Sequence, residues 1–258
     1  MRATLEDLKR GAHQAGIFLD FDGTLSDIVL IPSEARPVEG ATDLLRELAR
    51  SYRVVTIVSG RSAHELLEWV GPDLDIWGVH GAERVVDGRV TSSPLVTSCT
   101  ELMRRVLDEA QDGVARLDLP GVVVEDKGVI IGLHFRAAAD PDEASAQLDR
   151  LAGELAEKHG LWRAGGRLAY ELRPPVALSK ETVVLDVVEE SGVRAALFAG
   201  DDRVDLPGFD ALDVLDQRGL STLRVGVVSD EAPPELIERA DVTVDGPAGM
   251  VELLRRLL

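Results

Sequence analysis

Residues 17–25 constrain the fold of this chain more than any other stretch of its sequence. An apolar run at residues 17–19 is followed by two acids in alternate positions, Asp20 and Asp22, and Gly23 then breaks the run. This order predicts a β-strand that carries both acids at its carboxyl end. In an open α/β sheet, the loops at that edge form the crevice in which ligands bind. Asp and Gly also mark plain turns between a strand and a helix, so the spacing alone leaves that interpretation open.

The two acids are suited to the transfer of a phosphoryl group. One carboxylate can attack phosphorus, a second can pass a proton to the leaving group, and both can hold a hard cation through oxygen. The chain has 46 acidic and 28 basic residues and a net charge of −18, so a site for an anion must be locally basic. The same charge argues against nucleic acids and anionic membrane surfaces as partners.

Strands and helices alternate at both ends of the chain. Apolar, β-branched runs predict further strands at residues 53–58, 74–79, 195–199, 222–228 and 242–244. Helical spacing predicts helices at residues 5–13, 38–51, 178–190, 209–217 and 233–239, and a last one from residue 248. Ser59 is predicted to begin a helix, where its hydroxyl and the free N-terminal amides are suited to bind an oxyanion. This alternation predicts a doubly wound parallel sheet of α/β class.

The middle of the chain has a different pattern. Hairpins are predicted at residues 85–90, at residues 121–136 around Asp126, Lys127 and Gly128, and at residues 161–173 around Gly165 and Gly166. Helices are predicted at residues 98–111 and 140–159. These elements indicate an α+β layer with an antiparallel sheet. We therefore expect a core from residues 1–84 and 175–258, with a cap at residues 85–174 inserted between them.

Length and residue usage favour a cytoplasmic protein. A chain of 258 residues suits one large domain or a core with an insertion. No apolar run approaches the roughly eighteen residues of a membrane span, and residues 1–6 lack a signal peptide's hydrophobic region. Cys99 is the only cysteine, so no intrachain disulfide can form, and a half-buried side chain is expected. The sequence is compatible with a monomer.

Four motifs, in order, resemble those of the haloacid dehalogenase-like (HAD) phosphatases, whose core is Rossmann-like. They are Asp20 to Thr24, Ser59-Gly60-Arg61 after a strand, Lys180, and Asp201-Asp202 at another strand end. The resemblance implies that Asp20 is the nucleophile and that Asp22 is the general acid and then the base. It also implies that the Asp20 side chain, the Asp22 carbonyl and Asp201 hold Mg²⁺, with help from Asp202 or Asp205. Ser59, Gly60 and Lys180 would bind phosphate.

Further segments resemble the trehalose 6-phosphate phosphatases within that superfamily: residues 58–61, 78–83, 124–128, 133–136 and 170–174. This resemblance implies hydrolysis of trehalose 6-phosphate to trehalose and phosphate, in trehalose biosynthesis. Glu125, Lys127 and Glu171 of the cap would then reach the sugar hydroxyls, because carboxylates accept hydrogen bonds from neighbouring hydroxyls. Arg61 and His80 complete the implied substrate-binding set.

Several of these residues have structural alternatives. Glu125 and Lys127 can be solvated turn residues, His134 can be a histidine at the edge of the core or a ligand, and Arg173 can brace a hinge. The chain also departs from the family pattern. Glu181 lies beside the phosphate-binding Lys180, where we expect it to favour the helix dipole and point away. The acids usual after Asp205 are replaced by Leu206 and Pro207, which puts the outer metal shell in doubt.

Two other functions remain open at the level of sequence. One keeps the chemistry and changes the substrate to sucrose phosphate or another glycosyl phosphate. The other is a sensor of sugar phosphates, or an inactive partner of a synthase, without catalysis. The presence of both Asp20 and Asp22 argues against a sensor, since a binding module gains nothing from two acids that repel its phosphate.

Overall fold

The computed structural model describes residues 2–92, 94–166 and 168–258. The chain forms two compact units: a core unit, Met1–Thr91 with Leu178–Leu258, and an inserted unit, Ser92–Ala177. The strands are β1 (Ala15–Leu19), β2 (Val54–Val58), β3 (Asp75–Gly78), β4 (Glu83–Val86), β5 (Arg89–Ser92), β6 (Val123–Asp126), β7 (Ile131–His134), β8 (Trp162–Gly166), β9 (Ala169–Arg173), β10 (Ala195–Gly200), β11 (Ser221–Val228) and β12 (Val242–Asp245). The α-helices are α1 (Leu5–Arg10), α2 (Ala41–Ser51), α3 (Ala63–Val70), α4 (Pro94–Leu117), α5 (Pro141–His159), α6 (Lys180–Ser191), α7 (Leu206–Gln217), α8 (Pro234–Arg239) and α9 (Gly246–Arg255).

The core unit is built on one large sheet. Within the described residues, eight strands follow the order β12-β11-β10-β1-β2-β3-β4-β5, and those from β12 to β3 pair in parallel. Strand β1 is buried along its whole length, as expected for a central strand with helices on both faces. Ile17 packs into one hydrophobic cluster, with α2, α3 and α9, and Phe18 into another, with α6 and α7. The predicted doubly wound α/β core is confirmed.

The units divide at residues 91/92 and 177/178, whereas the sequence predicted 84/85 and 174/175. The predicted hairpin around Asp87 and Gly88 forms, as strands β4 and β5. It does not open the inserted unit, however, because β4 pairs with β3 and so extends the large sheet. The first cap boundary was therefore placed too early, since a hairpin in the sequence does not show which sheet it joins.

The inserted unit is an antiparallel sheet with two helices, as predicted. Its strand order is β6-β7-β9-β8. The Tyr170 hydroxyl lies 3.0 Å from the Ser145 hydroxyl of α5, and Arg163 donates to the Asp149 carboxylate of the same helix at 2.6 Å. One face of the sheet therefore packs on α5, and alternate residues point to the other face.

Two local predictions in the inserted unit differ from the structure. Helix α4 is longer than the predicted 98–111, because its apolar spacing continues in both directions. The last hairpin does not turn at Gly165 and Gly166, which belong to β8. The predicted strand began at Arg167, which lies outside the described residues.

Helix starts follow capping chemistry. Ser179 and Asp140 cap α6 and α5, where their side chains accept the amides of Thr182 and Glu143. The prediction that Ser59 begins a helix is wrong: α3 starts at Ala63, with Ser62 as its cap. Ser59 instead lies in the loop that leaves β2. Cys99 is half-buried, as predicted. Across the described ranges, none of the helices combines the length and apolarity needed to cross a bilayer.

Candidate active site

Three buried carboxylates meet at the carboxyl edge of the core sheet. Asp20 follows β1 directly, and Asp201 follows the neighbouring parallel strand β10. The Asp20 amide donates to the Ala199 carbonyl at 3.0 Å, which continues the β1–β10 ladder to this edge. Asp205 reaches the same place from the next turn, and one ligand atom from each acid lies within 4.8 Å of the others. Sheet register and one short loop thus bring together acids that are far apart in the sequence.

Lys180 supplies a positive charge to this cluster. Its ammonium donates to the Asp20 carboxylate and, at 2.5 Å, to the Asp205 carboxylate. Burial opposes the charge of Lys180, but the two carboxylates outweigh burial and raise the pKa of the ammonium. Burial and the neighbouring charge of Asp205 raise the pKa of Asp20 to about 7, against the effect of Lys180. One ammonium therefore leaves the acids short of positive charge, which is a condition that favours a bound cation.

Asp205 also shapes the loop that carries Asp201. Its Oδ2 accepts the backbone amides of Asp201 and Asp202 at 2.9 and 3.0 Å. Gly200 has to be glycine here, because a Cβ would lie 2.4 Å from the Asp205 side chain. Gly23 has φ of 76°, and a Cβ there would lie 2.2 Å from Asp201 Oδ2. The two glycines allow the acids to approach the backbone closely.

The side chain of Asp22 lies outside the three-acid cluster. Arg61 donates to both of its oxygens, from Nε and Nη2, at 2.7 Å each. The Arg61 guanidinium in turn lies over the Trp69 ring, 5.0 Å from its centroid, and donates to the Pro32 carbonyl at 2.8 Å. A bidentate pair of this kind fixes the orientation of both side chains. The sequence placed both residues at the site but did not predict their pairing.

The loop after β2 is held by a strained segment. Val79 and His80 both have positive φ, 49° and 55°. Their amides donate to the Arg61 and Ser59 carbonyls at 2.8 and 2.9 Å. The buried His80 ring lies so close to Gly60 that a Cβ there would be 2.9 Å from His80 Nε2. Strain that persists next to a polar site is commonly part of the function of that site.

The predicted core residues differ in where the structure places them. Asp20, Lys180, Asp201 and Asp205 come together, and Ser59 lies at the end of the adjacent strand β2. The Asp202 carboxylate accepts the amide of Arg203 at 2.7 Å and takes no part in the three-acid cluster. Glu83 accepts the Ala63 amide at 2.8 Å and so supports the start of α3, a role the sequence did not indicate. Glu181 lies in the first turn of α6, as expected.

A second polar cluster lies in the inserted unit. Lys127 donates to Glu171 at 3.1 Å, and its ammonium lies 3.5 Å from the Glu125 carboxylate. His134 Nε2 lies 2.7 Å from Glu125 Oε2, and Arg173 donates to Glu171 Oε2 at 2.9 Å from its Nε. His134 and Arg173 each hold one of the predicted sugar-binding carboxylates. These contacts favour a role in the polar cluster over the alternatives of a core-edge histidine and a hinge brace. Burial opposes the charge of Glu125, but His134 and Lys127 outweigh it and lower the pKa of that acid.

Comparison with known proteins agrees with this geometry. The family model described as trehalose-phosphatase matches residues 18–234, which contain both polar clusters. This chain belongs to the trehalose-phosphatase family. The family assignment confirms the resemblance seen in the four core motifs and in the cap segments.

Relatives and solved structures support the same assignment. The chain is 31% identical to the trehalose-phosphate phosphatase of Mycobacterium leprae over 258 residues, covering 95% of this chain and 58% of that protein. It is 34% identical to the Mycolicibacterium paratuberculosis trehalose-phosphate phosphatase, covering 96% of this chain and 62% of that protein. The chain thus spans about three fifths of these relatives. A structure of a trehalose-6-phosphate phosphatase related protein superposes with a TM-score of 0.76 at 25% identity, covering 93% of this chain and 95% of that one. The C-terminal domain of the Candida albicans trehalose-6-phosphate phosphatase has the same fold, with a TM-score of 0.80 at 22% identity, over 98% of this chain and 95% of that domain.

Proposed function

We propose that this protein is a phosphatase that hydrolyses trehalose 6-phosphate to trehalose and phosphate. The observation that carries the proposal is the buried Asp20, Asp201 and Asp205 cluster with Lys180, in a chain of the trehalose-phosphatase family. The proposal includes a cytoplasmic location and a place in trehalose biosynthesis.

Two aspartates carry the reaction in this proposal. The Asp20 carboxylate attacks phosphorus, the bond from phosphorus to the sugar oxygen breaks, and Asp22 gives its proton to that oxygen. Asp22 then takes a proton from water, which attacks the aspartyl phosphate and releases Asp20 and inorganic phosphate. Asp22 accepts from Arg61 through both oxygens, so it must first leave that pair and take up a proton from solvent. The phosphate is an anion, so it competes with Asp22 for the same guanidinium, and its arrival favours that release.

The acid cluster fits a hard divalent cation. The donors are all carboxylate oxygens, they lie close together, and Lys180 alone does not neutralise them. We propose that Asp20 and Asp201 hold Mg²⁺ with the Asp22 carbonyl, and that Asp205 supports them through the Asp201 loop. A bound Mg²⁺ would neutralise charge on the phosphate oxygens. Ser59, the Gly60 amide and Lys180 would bind the remaining phosphate oxygens, beside His80.

The sugar is assigned to the polar cluster of the inserted unit. His134 holds Glu125 at Oε2, and Glu171 is held at both oxygens, by Lys127 at Oε1 and by Arg173 at Oε2. These bonds orient both carboxylates, whose remaining lone pairs can accept hydrogen bonds from hydroxyls. Lys127 links the two acids and can donate to a sugar oxygen. This arrangement suits a polyhydroxylated ligand and supports the inserted unit as the part that selects the substrate.

The experiment that tests the proposal is phosphate release from a panel of phosphate esters, with and without Mg²⁺. We expect trehalose 6-phosphate to have the highest kcat/KM, well above sucrose 6-phosphate, glucose 6-phosphate and p-nitrophenyl phosphate. An excess of chelator should stop all four reactions, and Mg²⁺ should restore them. Preference for another ester would redirect the substrate assignment, and activity in excess chelator would contradict the metal assignment. Binding without turnover of any ester would favour the sensor.

A further inference from the structure

One large aromatic side chain lies exposed beside the polar cluster of the inserted unit. Trp162, on the edge strand β8, is 51% exposed. An indole offers a large apolar surface with one polar N–H, so an exposed one on a sheet face is available to pack against a ligand. Neither the four motifs nor the cap segments of the sequence pointed to this residue.

Strand register places Trp162 on the same face as the sugar-binding acids. Trp162 pairs with Arg173, and Ala164 pairs with Glu171 across β8 and β9. Glu171 pairs in turn with Gly132, and Gly132 with Glu125, across β9, β7 and β6. Side chains of directly paired residues point to the same face of a sheet. Arg163 and Tyr170 have the opposite orientation and contact α5.

Two residues border the surface between Trp162 and Glu171: Ala164 on β8, and Arg173 on β9, whose guanidinium donates to Glu171 Oε2. Ala164 carries one methyl group and lies next to Glu171, so no bulky side chain of β8 separates the acid from the indole. Trp162 is the diagonal neighbour of Glu171, a separation of roughly 7–8 Å between Cα atoms. That separation suits one pyranose ring, held at its edge by the carboxylate and covered on one face by the indole.

Sugars suit such a pair of contacts. The hydroxyls of a pyranose lie around its rim and need polar partners, whereas its C–H groups form an apolar face that packs on an aromatic ring. Small-molecule sites commonly combine a few placed polar groups with an aromatic wall. We infer that Trp162 is a substrate-binding residue that stacks against a sugar ring bound to Glu171. This inference rests on the function proposed above and adds a specificity determinant to it.

The test compares three variants on two substrates. Trp162→Ala removes the indole, Trp162→Phe keeps an aromatic ring, and Val123→Ala is the matched control, since Val123 is exposed on the same face at the opposite edge strand. Trehalose 6-phosphate reports on the sugar, and acetyl phosphate, which has no ring, reports on the core chemistry. We expect Trp162→Ala to raise KM for trehalose 6-phosphate roughly tenfold. Its turnover of acetyl phosphate should match that of the unaltered protein, as should Trp162→Phe and Val123→Ala on both substrates.

Fluorescence gives a readout that a purely structural role would not change. Titration with trehalose should alter the tryptophan emission of the unaltered protein and leave that of Trp162→Phe unchanged. An unchanged KM in Trp162→Ala would overturn the inference, and so would an equal loss on both substrates. If Glu171→Ala impairs trehalose 6-phosphate turnover while Trp162→Ala does not, only the role of Trp162 falls. If the unaltered protein turns over acetyl phosphate and no sugar phosphate, both the proposed function and the role of Trp162 are contradicted.

Discussion

The polar cluster of the core unit and that of the inserted unit both combine carboxylates with a lysine, but they differ in burial. Lys180 and Asp205 have side chains 1% and 0% exposed, whereas Lys127, Glu171 and Glu125 are 14%, 13% and 35% exposed. Water cannot replace a lost partner in the buried cluster, but it reaches the partly exposed one, above all at Glu125. The buried cluster suits a reaction that needs fixed geometry. The partly exposed cluster of the inserted unit suits recognition of hydroxyls, because its side chains can adjust to a ligand.

The largest expected effect is on chemistry in the core unit. Asp20→Asn replaces the proposed nucleophile with an amide of similar shape, so we expect phosphate release to fall by about a thousandfold or more. The loss should be equal for trehalose 6-phosphate and p-nitrophenyl phosphate, because both need the same attack on phosphorus. Steady-state assays of both esters give the measurement. Asp27→Asn, an exposed acid of the same unit, is the control and should behave as the unaltered protein. Substantial turnover by Asp20→Asn would remove Asp20 from the nucleophile role.

The next effect separates the two clusters by substrate. Glu125→Ala and Glu171→Ala remove the proposed partners of the sugar, so turnover of trehalose 6-phosphate should fall roughly ten- to a thousandfold. Hydrolysis of p-nitrophenyl phosphate should be nearly unchanged, since the acids of the core unit are intact. Glu101→Ala, exposed on α4, serves as the control. A parallel loss on both esters would show that these acids support the fold and not the sugar.

A matched pair of lysines tests the difference in burial directly. Lys180→Met leaves Asp20 and Asp205 buried without their cation, which should lower the free energy of unfolding by about 3–5 kcal/mol in Mg²⁺-free buffer. Lys127→Met should cost less, about 1 kcal/mol, because Arg173 still pairs with Glu171, and His134 and water still reach Glu125. Urea unfolding of both variants measures these values. Equal costs would contradict the view that burial distinguishes the clusters.

The smallest effect concerns pH. The folded protein raises the pKa of Asp20 from 3.8 to about 7, so between these values the unfolded chain releases a proton that the folded protein keeps. Folding of the Mg²⁺-free protein therefore weakens as the pH rises through this interval. Its melting temperature should fall by a few degrees more than that of Asp20→Asn between about pH 5 and pH 7.5. Mg²⁺ should stabilise the protein more at the higher pH, because a cation competes with the proton. The same pH dependence in both proteins would show that Asp20 titrates normally.

Much of the fold and several site positions could be predicted from the sequence. Continuous apolar runs such as residues 17–19 and 195–199 are typical of strands buried on both faces, and such strands pair in parallel. Acids at the carboxyl ends of such parallel strands lie at one edge of the sheet, which is why Asp20 and Asp201 could be placed together. A local signal also sufficed for the start of α5, where Asp140 precedes Pro141 and caps the helix.

Contacts that depend on the third dimension could not be predicted. The pairing of Arg61 with Asp22 needs the loop after β2 to lie beside β1, and a sequence gives no direction for a side chain. The exclusion of Asp202 from the acid cluster has the same origin, since neighbouring residues of a turn point apart. The sequence indicates only that Trp162 lies in a strand. The register of β8 and β9 then shows that it lies diagonally across from Glu171. The sequence alone determined which residue types are present and which local elements they form, because propensity and periodicity act over a few residues. Only the tertiary structure decided which charges meet, because burial and register are properties of the packed chain.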